Sequence, residues 1–183
     1  LQKTIKQMSH LKLEVHVHRS LLATEFVRSG KYMMALCSEP ASGRDLQFLP
    51  LLEEPLVIVN SEFAPLPKKN RPKVWNVISI EEASSTWKLI EQRLKRSEPH
   101  VTIENRVESF AAIVQMVKAG FGHGLIPLAV ARGHHVPETA ITRLDPAPVR
   151  RIGLVARESL FAQTWAQSFS EKLRRIVDPL DRT

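Results

Sequence analysis

The chain has 183 residues, 43% hydrophobic and 25% charged, with a net charge of +7. That is the composition of a folded globular protein and excludes a disordered one, and no apolar run approaches the roughly 20 residues a membrane span requires. The single cysteine, Cys37, excludes an internal disulfide. In its apolar run it reads as a buried free thiol in a reducing cytoplasm.

In chain order, Leu1, Ile5 and Met8 recur at helical spacing, so the chain opens inside a helix. Leu11, Leu13, Val15 and Val17 alternate with polar residues, which predicts a half-buried strand over 11–17 with His16 and His18 on its other face. Ser20 is placed to cap a helix that turns Leu22 and Phe26 inward and stops at Gly30. Residues 32–37 form a short apolar run like a buried parallel strand. After a loop at 41–45, residues 46–52 and 55–59 are extended. Residues 63–73 carry three prolines and form a connector.

Residues 74–80 predict a strand. Trp87, Ile90 and Leu94 mark the face of the next helix, with Glu91 and Lys95 as an i,i+4 pair. Residues 101–107 predict a strand, and Phe110, Ile113, Val114 and Val117 a helix stripe ended by Gly120. Leu125 and Ile126 form a very short strand, and Pro127 suits the first turn of another helix. Residues 139–144 and 151–156 are extended. Phe161, Trp165, Phe169, Leu173 and Ile176 stripe a final helix, which Pro179 ends. Strands alternate with helices, which argues for parallel α/β sheets.

The positive charge comes from 26 Lys and Arg against 19 Asp and Glu, and it is dispersed. Its densest patch, Lys68, Lys69, Arg71 and Lys73, is broken by prolines and reads as a solvated loop. Without aromatic interleaving, helix-turn-helix pattern or zinc-finger spacing, the chain is not expected to read DNA itself. The first residues show no export leader.

Three clusters could carry chemistry. Ser84, Ser85 and Thr86 stand before a helix, where hydroxyls and unpaired N–H groups make either an anion pocket or a plain cap. Gly120, Gly122 and Gly124 let backbone approach a ligand or turn tightly; they follow a helix, so they are neither a dinucleotide fingerprint nor a P-loop. His16 with His18, and His134 with His135, lack the third ligand a metal needs. There is no Gly-x-Ser-x-Gly elbow, and the adjacent pairs Glu53-Glu54 and Glu81-Glu82 each split between faces. No cofactor, metal or catalytic set is expected.

The segment from Glu108 to Pro127, ESFAAIVQMVKAGFGHGLIP, resembles the signature stretch of LysR-type effector domains: Glu-Ser, an amphipathic helix, Ala-Gly-x-Gly, then Pro and a short helix. Residues 46–59, 24–36 and 151–157 resemble other family segments in the right order. The resemblance implies an α/β fold of two lobes, like type II periplasmic binding proteins, with small mixed sheets flanked by helices and joined by crossover strands. Lobe I takes residues 1–56 and 147–183, and lobe II takes 57–146. A small metabolite, often a carboxylate, sits between them, beside the positions matching family cleft residues: Ser20, Ser84 to Thr86, Ser109, Phe110, Gly122 and His123. It also implies a homodimer or tetramer formed through residues 1–17 and 110–118, no membrane, and DNA binding only through a helix-turn-helix domain of the parent regulator.

Three features depart from the family pattern. The chain begins after the strand that usually opens the domain. Tyr32-Met33-Met34 replaces an acidic residue after Gly30, and residues 60–73 lack a short Asp-Leu helix. A transport solute-binding protein shares the fold, as do some deaminases and dehydratases, so fold analogy alone does not separate these readings.

Overall fold

The computed structural model describes residues 14–40, 45–70, 72–80, 85–97 and 100–181. Ser84 and the expected helix over residues 1–8 lie outside them. The chain divides into two units, Leu1–Glu53 with Arg151–Thr183, and Glu54–Arg150.

In the first unit, helix α1 (Ser20–Arg28) leads to strand β1 (Met34–Ser38). Strand β2 (Gln47–Val59) and strand β7 (Val149–Ala156) each begin in one unit and end in the other. β1 pairs antiparallel with β7, which neighbours β2. Helices α5 (Glu158–Phe161) and α6 (Thr164–Asp181) follow. The period of two along β7 serves two helices: Leu154 packs with Phe169 and Leu173 of α6, and Val155 with Val27 of α1, Ala35 and Cys37.

The second unit adds β3 (Trp75–Ile80), helix α2 (Ser85–Ser97), β4 (Val101–Val107), helix α3 (Phe110–Lys118), β5 (His123–Pro127), helix α4 (Leu128–Gly133) and β6 (Ile141–Arg143). β3 runs parallel to β4 and β5, while β2 runs antiparallel to β5 and β6. Leu56, Ile58, Val77 and Leu125 face Trp87, Ile90 and Leu94 of α2. Val57, Val59, Ile78 and Ile126 face Ile113, Val114 and Val117 of α3. Cover on both faces explains why residues 55–59 carry no polar alternation. Gly124 lets α3 lie this close: a Cβ there would stand 2.7 Å from Val117 and 2.8 Å from Ile113. Gly30 and Gly120 end α1 and α3 at φ 80° and 82°, which other residues rarely adopt.

Several expectations are corrected. The sheets are mixed, as the family resemblance implies and not parallel as the alternation of strands with helices argues, and β1 is antiparallel rather than parallel. Ala35 and Cys37 are buried but Leu36 is 54% exposed, so one face of this strand is open among the described residues. Residues 14–19 hold no strand; they have no ladder partner among the described residues, and Val15 and Val17 are exposed. On α1, Thr24 and Val27 turn inward and Leu22 outward, the buried face lying one residue further on than the spacing of Leu22 and Phe26 suggests. The extended stretches expected over 46–52 and 55–59 are one strand, Gln47–Val59. Glu91 is buried and pairs with Arg106 on β4, not with Lys95. Phe161 closes its own short helix, and α6 runs past Pro179 to Asp181.

Candidate functional site

The parallel strands β3 and β4 end at Ile80 and Val107, and a helix begins shortly after each. Ser109 is extended (φ −141°, ψ 148°) and caps α3, its Oγ accepting from the Ala112 N–H at 3.2 Å. This satisfies one of the N–H groups that a helix start leaves open. Phe110, the first residue of α3, meets Trp87, the third of α2, edge to face with 5.7 Å between ring centres. Trp87 is itself fixed, its Nε1–H donating to the buried Ser79 Oγ at 3.1 Å. The two helix starts therefore lie side by side beyond the C-terminal ends of β3 and β4. Ser85 and Thr86 are the first two residues of α2. In open α/β sheets this is the place where ligands bind, and helix dipoles there favour anions.

Arg150, which sequence reasoning did not single out, joins this end together with Glu54, which it named only as half of an adjacent pair. Arg150 donates to Glu54 Oε2 from Nε (2.9 Å) and Nη2 (2.5 Å), and the side chains are 17% and 14% exposed. The Arg150 guanidinium lies 5.2 Å from the centre of the Phe110 ring. The alternation of strands β2 and β7 was the available signal: Glu54 turns to Arg150, while Glu53 comes within 3.8 Å of Arg151.

Gly122 and His123 are not brought to this group. The turn after α3 returns the chain to the opening half of the sheet, where His123 lies opposite Val77. Three further residues of β3, about 10 Å of strand, separate that level from Ile80. His123 Nδ1 accepts from the Ser61 N–H at 3.1 Å, and its ring meets Trp75 edge to face at 4.9 Å. Burial lowers its pKa. It is thus a neutral ring with its proton on Nε2. Ser20 belongs to the first unit. It is the first helical residue of α1 rather than its cap, which is Arg19, and its Oγ accepts from the Ser38 N–H at 3.4 Å.

His16 and His18 do share a side: their rings stack at 6.3 Å, and His18 Nε2 lies 2.9 Å from the Tyr32 hydroxyl. Among the described residues, no group of three or more His, Cys, Asp or Glu is placed to hold a metal ion. Nor is any helix among them long and apolar enough to cross a membrane. Cys37 is buried, and burial pushes its pKa up to about 11, which keeps it a thiol. A shallow cavity of about 200 Å³ in the first unit is lined by Gln47, Leu49, Phe161, Ser170 and Arg174. Its Ser170 hydroxyl donates to Ala166 O and an Arg174 N–H to Pro50 O, so these groups serve the packing of α6 on β2.

A family model described as the LysR substrate binding domain matches residues 1–177. A search of curated proteins returns no match. Among solved structures, the chain is similar to the effector-binding domain of QuiR in complex with shikimate, with 20% identity, a TM-score of 0.73, and 96% of this chain and 87% of that one covered. It is similar to the effector-binding domain of a BenM variant (16% identity, TM-score 0.75, 97% and 86% covered). It is also similar to the reduced OxyR regulatory domain from Pseudomonas aeruginosa (18%, 0.71, 95% and 88%). At these identities the structures speak for the fold.

Proposed function

Because the chain belongs to the LysR substrate-binding-domain family, we propose that it senses a small anionic metabolite, a carboxylate, for a transcription regulator whose DNA-binding part is a separate helix-turn-helix domain. The observation that carries this reading is the Trp87–Phe110 contact, which sets the starts of α2 and α3 together. Ser84, Ser85, Thr86, Ser109 and Phe110 form the proposed contact set. Ser20 supports the sheet of the first unit, and Gly122 and His123 shape the far end of the second. The two units are the two lobes of the family fold. Bound effector favours one conformation over another by its difference in affinity for the two. In reciprocal fashion, any change that favours that conformation tightens effector binding.

The OxyR likeness raises a redox alternative. One cysteine in 183 residues, buried as a thiol, supports ligand sensing over an internal thiol–disulfide switch. Exposed Val17 lies in the part of the first unit proposed to pair two copies, residues 1–17, and exposed Leu21, Leu22 and Leu36 follow it on α1 and β1. The proposed signal to DNA is a change in that pairing, in a cytoplasmic dimer or tetramer.

Thermal unfolding of the domain against a panel of carboxylates tests this reading. A ligand at about 100 times its Kd should add about 2.7 kcal/mol. One chemically related group is expected to stabilise, with the gain reduced in Ser85→Ala. Stabilisation by no carboxylate, from a sample that unfolds cooperatively, contradicts it.

A further inference from the structure

Arg150 is mostly buried, and Glu54 engages only part of it. Nε and Nη2 share the single oxygen Oε2, and Nη1 has no acceptor among the described residues. A guanidinium carries five donors, and withdrawing it from water with donors unmet is costly. The face of Phe110 holds the group in place by cation–π attraction. Phe110 is also the residue that opens α3, so the unmet Nη1 edge belongs to the same end of the second unit as the Ser109 cap. Glu54 meanwhile cancels the net charge, so the pair holds a cation ready without a strong standing field.

From this geometry we propose that Arg150 is the specificity-determining residue of the site: it takes an oxyanion, carboxylate or sulfate-like, through Nη1 and thereby separates anionic ligands from their neutral analogues. This rests on the reading of the helix starts as the effector site, and it adds the group that reads charge. Arginine can serve two acceptors at once, and its planar fork suits an oxyanion better than a lysine ammonium does. A neutral amide in the same place presents a single uncharged oxygen and gains less from that edge.

Arginine side-chain ¹⁵N resonances and backbone amides of the full chain, titrated with sulfate and with acetate, test the proposal. Saturable shifts are expected at Arg150 Nε and Nη and at the Ser109 and Phe110 amides. Binding should weaken at least about tenfold in the double variant E54Q/R150Q, which keeps an uncharged hydrogen-bonding pair, and less in R150K. Amide dispersion and the unfolding midpoint confirm that each variant folds. Saturable shifts at Ser109 and Phe110 with Arg150 silent, and equal binding by E54Q/R150Q, overturn the role of Arg150 and leave the site standing. No shift at either place overturns both.

Discussion

At the scale of single residues, His123 shows how position decides role. A histidine between glycines is compatible with ligand contact, yet its Nδ1 is taken by the Ser61 N–H and its face by Trp75. Its folded pKa lies below the ordinary 6.5 because of burial. As pH falls, the unfolded chain binds this proton first. The His123 contribution to stability is therefore intact above pH 6.5 and is lost as pH falls from there through the folded value. Urea unfolding at pH 8 and pH 5 should show a smaller acid loss in His123→Gln than in the parent. Equal losses would mean that His123 titrates alike in both states. A ¹⁵N tautomer measurement should place the neutral proton on Nε2, and finding it on Nδ1 would contradict the Ser61 hydrogen bond.

Between elements, the decisive information is pairing, which one sequence carries only in part. The stripes of α2 and α3, the bounds of β4 and the glycine stops at 30 and 120 were readable because each follows from local spacing. Partners across space were not. Glu91 has a lysine four residues on, yet the sheet presents Arg106 directly beneath it, and the two form a two-pronged pair at 2.5 and 2.9 Å. A helix-surface ion pair is worth only a few tenths of a kcal/mol, so a buried one wins. Glu91→Ala should cost about 2 kcal/mol, reduced from a fully buried case because Arg106 is 32% exposed and can reach water. Loss of Lys95 should cost under about 0.5 kcal/mol. Equal costs in denaturant unfolding would return Glu91 to Lys95. The same limit hid Arg150: alternation along β7 sets it on the opposite face from Arg151, but nothing local names Glu54 and Phe110 as its partners. Likewise, the alternation over residues 11–17, of which 11–13 lie outside the described residues, promises a strand, but residues 14–17 have no ladder partner among the described residues and a strand exists only where one accepts it.

Across the whole molecule, the fold class and the alternation of elements were readable, and the arrangement of the candidate site only half so. Ser109 and Phe110 fall beside the start of α2, while Gly122 and His123 fall at the other end of the same sheet. Exposed apolar residues on α1 and β1 adjoin residues 1–17, through which two copies are proposed to pair. Leu21 and Leu22, adjacent on α1, are 57% and 45% exposed. Glutamate at both positions should shift the mass in sedimentation equilibrium from the proposed dimer or tetramer toward monomer while leaving cooperative unfolding intact. An unchanged mass would move the interface elsewhere. Ligand is proposed to sit at the starts of α2 and α3. A crystal structure of the domain with the carboxylate that most stabilises it is the most direct measurement. An oxygen of that ligand is expected within hydrogen-bonding reach, about 3.2 Å, of the Ser109 hydroxyl or an α2 first-turn N–H. A carboxylate seated instead in the cavity between β2 and α6, beside Leu49 and Phe161, with the helix starts untouched, would contradict it.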